Sequence, residues 1–143
     1  MSNWDKELFT DHLREQCTRE VAKVGVAIIE FSEKFADDIS WGRGAENGTL
    51  TFRCNTDIGP LPLFHMTSNG HLNLQINFMR NKDIPPMVLR DFVLKLESNF
   101  LRDYDEEEYP SDVFVPIEDL FHTENQLEKF LKTMEGATYR LRQ

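Results

Sequence analysis

Asn69-Gly70 stands between two alternating runs, Leu61, Leu63 and His65 before it and Leu72, Leu74, Ile76 and Phe78 after it. Asn-Gly suits the positive φ angles of a two-residue type I′ turn, whose twist matches that of an antiparallel pair. A turn placed there pairs Thr67 with Leu72, His65 with Leu74, Leu63 with Ile76 and Leu61 with Phe78. Directly paired residues share a sheet face, so this register collects the apolar side chains on one side, and a slip of one residue scatters them. Upstream, a loop from Asn55 to Pro60, with Ile58-Gly59-Pro60 as its breaker, pairs Cys54 with Leu61, Phe52 with Leu63 and Leu50 with His65 on that same face. The expected core is a three-stranded antiparallel meander over residues 49–54, 61–67 and 71–78, with His65 inside it.

Helical periodicity flanks the meander. Leu13, Cys17, Val21, Val24, Ile28, Phe31 and Phe35 recur at alternating steps of four and three, which predicts one helix over about residues 11–35. The stripe keeps a seven-residue period; it is read as packing on the sheet within one chain, with self-association as the alternative. Pro85-Pro86 opens a second helix carrying Leu89, Val93, Leu96 and Phe100. Val113-Phe114-Val115 reads as an added edge strand, and Pro116 starts a short turn with Leu120 and Phe121. Thr123 and Gln126 fit a capping box ahead of Leu127, Phe130, Leu131 and Met134, with Gly136 as the stop. The fold class expected is α+β: a three- to four-stranded antiparallel meander with a long N-terminal helix and two C-terminal helices packed on one face. At 143 residues the chain is expected to form a single domain over 1–143.

Charge narrows the function. The chain has 25 acidic against 16 basic residues, a net charge of −9, which opposes a surface that neutralises phosphates throughout. The excess is uneven, since residues 103–108 alone hold five of the acids while Arg43, Arg53 and Arg80 sit in or beside the strands. No apolar run approaches the roughly 20 residues that span a bilayer, and Met1-Ser2-Asn3-Trp4-Asp5 lacks the order of a signal peptide, so a cytoplasmic protein without a membrane partner is expected. Cys17 and Cys54 make neither a disulfide framework nor a metal-ligand spacing and are read as small buried hydrophobes.

Trp41-Gly42-Arg43-Gly44 superficially suggests a phosphate loop. A phosphate cradle runs from strand to helix N-terminus, whereas this stretch runs from a helix into a strand. It is read as a helix stop and hairpin lead-in, or as a binding loop in which Trp41 offers a flat surface and Arg43 a forked donor. The sheet face opposite the expected core carries Thr49, Thr51, Arg53, Phe64, Met66, Asn73, Gln75 and Asn77, where amides beside apolar side chains suit a ligand or a peptide. The same face covered by the C-terminal helix or a neighbouring subunit is the alternative. The candidate ligand-binding set is therefore Trp41, Arg43, Arg53, Phe64, Met66, Asn73, Gln75 and Asn77. No catalytic residue, metal ligand or cofactor is assigned, because His65 has no nucleophile and orienting acid in this register and the strands carry no acids.

Trp41-Gly42-Arg43-Gly44, Asn47-Gly48, the Gly70 hairpin with Gln75 and Phe78, Pro85-Pro86 with Arg90 and Leu96, and Pro116, Leu120 and Phe130 together resemble a domain that recurs in bacterial hypothetical proteins. The resemblance covers most of the chain from Trp41 onward and departs from the pattern at Met134-Glu135-Gly136, where that domain carries a tryptophan. It implies no activity and no site residues. The resulting expectation is a small non-enzymatic binding or protein-interaction domain, monomeric or homodimeric, whose partner is a protein or a small ligand. The alternatives are a nucleic-acid module in which Phe64 stacks on a base while Arg43, Arg53, Arg80 and Lys82 meet phosphates, an enzyme with an unrecognised site, and an acidic DNA mimic.

Overall fold

A computed structural model describes residues 4–42, 47–104, 107 and 112–142. Its first departure from the periodicity is at Thr18. Cys17 and Thr18 are extended, and the Thr18 hydroxyl accepts from Val21 N at 3.2 Å, so the expected single helix becomes α1 (Lys6–Gln16) and α2 (Arg19–Phe35). The stripe survives the break because both helices turn it inward. Leu13 packs onto Gly25, where any Cβ would lie 2.4 Å from its Cδ2. In one straight helix those residues would stand about 18 Å apart.

Five strands follow in sequence order across one antiparallel sheet: β1 (Asp38–Gly42), β2 (Thr49–Thr56), β3 (Gly59–Thr67), β4 (His71–Leu74) and β5 (Phe114–Pro116). Trp41, expected in a lead-in loop, is instead a strand residue paired with Leu50. The fold class is α+β as read, with β1 added at one edge and β5 at the other.

The register of β3 corrects the derived one. Cys54 pairs with Leu61 as expected, but the ladder then shifts at Phe52/Arg53, leaving Leu63 as the extra residue of a bulge. Pro62, which has no N–H for the ladder, sits at that irregularity. Beyond it Phe52 pairs with Phe64, Thr51 with His65 and Leu50 with Met66. The hairpin agrees with this phase, because its loop has three residues, with Thr67 paired to His71. Gly70, at φ +85°, closes the loop and lies so close to Cys17 and Val21 that no side chain fits there. Ser68 is drawn out of the ladder by its own bonds: its Oγ accepts from Gly48 N at 2.9 Å and lies 2.7 Å from His12 Nδ1.

A shift of one residue exchanges the faces. Phe64 and Met66, expected on the polar face, are fully buried on the core face, whereas His65, expected in the core, is half-buried on the other. The third strand also ends early. Gln75 leaves the sheet and α3 (Ile76–Arg80) begins, so Gln75 and Asn77 are not strand residues. The Asp112 carboxylate accepts from Asn77 N at 2.8 Å and Phe78 N at 2.9 Å, satisfying the helix's first free donors from a distant part of the chain.

The helices α4 (Pro86–Phe100), α5 (Ile117–Leu120) and α6 (Glu124–Leu141) complete the chain. The Thr123–Gln126 capping box forms as read, but α6 continues past Gly136 because Ala137, Thr138 and Leu141 are buried. Aromatic side chains weld helices to sheet: Phe31 stacks on Phe52, Phe52 on Phe64, and Phe64 meets Phe130 edge-on at 6.0 Å. Phe9 of α1 meets Trp41 at 5.4 Å. These contacts place α1, α2 and α6 on the same side of the sheet. Among the described residues no helix is long and apolar enough to cross a membrane.

Candidate functional site

On the face away from those helices, strand pairing lines up Ser40, Thr51, His65, Asn73 and Phe114 in one row across all five strands. At about 4.8 Å per strand the row is roughly 19 Å long. Beside it Asp38, Arg53 and Pro62 form a second row, and Gly42, Thr49, Thr67, His71 and Pro116 a third.

His65 is held on one side only. Its Nδ1 lies 2.7 Å from Thr51 Oγ1, and among the described residues its Nε2 has no hydrogen-bond partner. Burial pushes the imidazole pKa below its usual value, the Arg53 charge pushes the same way, and Asp112 opposes both. His65 is therefore neutral at pH 7, offering a hydrogen bond rather than a charge. On the neighbouring strand Asn73 Oδ1 accepts from Gln75 Nε2 at 2.7 Å, which orients the amide. Asn73 is itself only 5% exposed; every fully enclosed side-chain nitrogen or oxygen among the described residues has a partner, so its Nδ2, which makes no hydrogen bond, keeps a small opening to the surface. Arg53 donates to Ser40 Oγ and lies 3.6 Å from the Asp38 carboxylate, so its guanidinium is fixed beside His65 while remaining partly exposed. Phe114, 48% exposed, ends the row with an aromatic edge.

The candidate residues thus divide. Arg53, Asn73 and Gln75 are brought together around His65. Phe64 and Met66 lie in the core, and Trp41 packs on Phe9 from the core side. Asn77 lies in α3, its Oδ1 taken by Arg80. Arg43 lies outside the described residues. His65, Ser40 and Phe114 escaped the sequence reading. The missed signal was inside β3: apolar residues alternate in one phase at Leu61 and Leu63 and in the other at Phe64 and Met66, the mark of a bulge.

Thr51 and His65 have the hydroxyl-to-imidazole geometry of a nucleophile and its base. Among the described residues, however, no carboxylate holds the far ring nitrogen. Burial also pushes the Cys54 thiol up to about 11, with nearby Arg142 only partly offsetting it, so a thiolate nucleophile is not on offer there. Among the described residues no group of three His, Cys, Asp or Glu side chains is placed to hold a metal ion. The arrangement is suited to holding a ligand by directed hydrogen bonds. Comparison of the chain with protein-family models, curated proteins and solved structures gives no match.

Proposed function

We propose that this domain is a non-enzymatic binding module that engages a protein or small ligand through the Thr51, Arg53, His65, Asn73 and Gln75 face. The observation that carries the reading is the pair of adjacent, oriented and unpartnered groups, His65 Nε2 and Asn73 Nδ2, on directly paired strand positions. Paired positions place their Cα atoms about 4.5–5.5 Å apart, so one carbonyl or carboxylate can bridge both groups. When Thr51 donates its proton to Nδ1, Nε2 carries the hydrogen, and the Arg53 guanidinium adds a third donor alongside. Three convergent donors favour an acceptor-rich ligand such as a peptide carbonyl, a terminal carboxylate or a side-chain amide. The bonds made by Thr51 and Gln75 set these orientations before any ligand arrives, which lowers the ordering cost of binding.

An NMR-detected screen with small carboxylate and amide fragments tests the reading. Shift changes are expected at Thr51, Arg53, His65, Asn73 and Gln75, and they should vanish in a His65→Ala, Asn73→Ala variant. Fragments that map to another surface, or that leave the whole protein unmoved at millimolar concentration, overturn it.

A further inference from the structure

On the helical side of the molecule, remote from the His65 face, the N-terminal half of α2 diverges from α5 and the start of α6. The cleft between them measures about 580 Å³. That is within the roughly 300–1,000 Å³ of ordinary ligand pockets. Its floor is apolar, built by Val21, Val24 and Ala27 on one wall and Ile117, Phe121 and Leu127 on the other. Its rim is acidic. Glu20, Glu118, Glu124 and Glu128 line it against the single ammonium of Lys23, which is itself 3.5 Å from Glu124. Glu20 and Glu124 lie in the first turns of α2 and α6, where a carboxylate answers the helix dipole. Glu128 has no such role, and the four together leave the rim strongly negative. The apolar residues of α2 also run nearly all round the helix from Val21 to Ile29, more than one buried stripe requires.

We infer that this cleft docks a basic amphipathic helix of a partner protein. The charge of the rim selects Lys and Arg on the partner, and the floor selects an apolar stripe. The conformation follows from hydrogen bonding. The walls offer no strand edge, since α2, α5 and α6 pair most of their backbone groups internally, so an extended peptide would find few partners for its own N–H and C=O groups, whereas a helix satisfies its own. The α2 wall from Thr18 to Ala27 is about 14 Å long, which matches apolar anchors at i, i+3, i+4 and i+7 of the incoming helix. This inference is independent of the sheet-face reading, because the two surfaces share no residue.

The probe is a fluorescent designed peptide, leucine on one helical face and lysine on the other. It is compared with a scrambled peptide of the same composition and with a counterpart in which glutamate replaces every lysine. Saturable binding of the first peptide alone is expected, weakening with salt, with NMR shifts at Val21, Val24, Ile117, Phe121 and Leu127. A Glu118→Lys, Glu128→Lys variant, altered only at exposed positions, should bind it about tenfold more weakly. Equal binding by that variant, equal binding of the scrambled peptide, shifts that map elsewhere, or no binding at low salt overturns the inference.

Discussion

Phe52 stacks on Phe64 across β2 and β3, ring centroids 5.1 Å apart and planes 26° from parallel. Phe31 of α2 continues the stack on Phe52 and Phe130 of α6 closes it on Phe64, so position 64 joins the sheet to the helices on its core face. Truncating a buried Phe to Ala costs about 3–5 kcal/mol. Phe64→Ala should therefore lose that much stability in urea denaturation, while His65→Ala, one residue along and on the other face, should stay within about 1 kcal/mol.

Ser68 carries a second junction. Its fully buried hydroxyl reaches His12 of α1 and the backbone of Gly48, and Ser68 N returns a bond to Gly48 O at 3.0 Å. Ser68→Ala strands the Gly48 donor and the His12 ring nitrogen together, a loss of about 1–3 kcal/mol. Thermal denaturation should show it, and Thr67→Ala, half-buried at the start of the same turn, should cost less.

Acid sensitivity follows from His65. Its pKa is lowered in the folded state by burial and by Arg53, so between that value and the ordinary unfolded one the unfolded chain binds more protons. The stability it contributes is complete above about pH 6.5 and is lost as pH falls through the folded value. Urea midpoints measured from pH 7.5 down to 5 should decline, and His65→Gln should flatten that decline.

The C-terminal helix is fastened at its end by Arg142. Its Nε donates to Asp37 Oδ2 at 3.0 Å and its Nη2 to Phe35 O at 2.6 Å, while Asp37 also accepts from Asn55 N at 2.8 Å. The Asn55 bond holds the Asp37 carboxyl below its usual pKa; burial opposes it and Arg142 reinforces it. Both side chains meet water, so the coupling between Arg142→Ala and Asp37→Ala in a double-mutant cycle should be about 0.5–1 kcal/mol.

What the sequence disclosed and what it withheld separate along physical lines. Local chemistry was legible: the Thr123–Gln126 box, the Pro85-Pro86 start, the strand 49–54 and its Cys54–Leu61 pairing all form where local pattern puts them. Features decided by distant partners were not. Ser68 leaves the ladder for His12, 56 residues away, and Asp112 starts α3 from across the chain, which cuts β4 short of Gln75 and Asn77. The largest consequence came from the bulge at Leu63, because a single unpaired residue moved His65 outward and Phe64 and Met66 inward. Thr51, Arg53, Asn73 and Gln75 of the candidate face were thus visible, and His65 at its centre was not.

The binding account therefore rests on which side of the sheet carries His65, and thiol accessibility measures that directly. In a Cys17→Ala background Cys54 stays silent, buried and with its pKa pushed up to about 11. His65→Cys and Met66→Cys are then labelled with a thiol reagent under native conditions. The account predicts rapid modification at position 65, and modification at position 66 only as slowly as the protein unfolds. Rapid labelling at 66 with protection at 65 would contradict it.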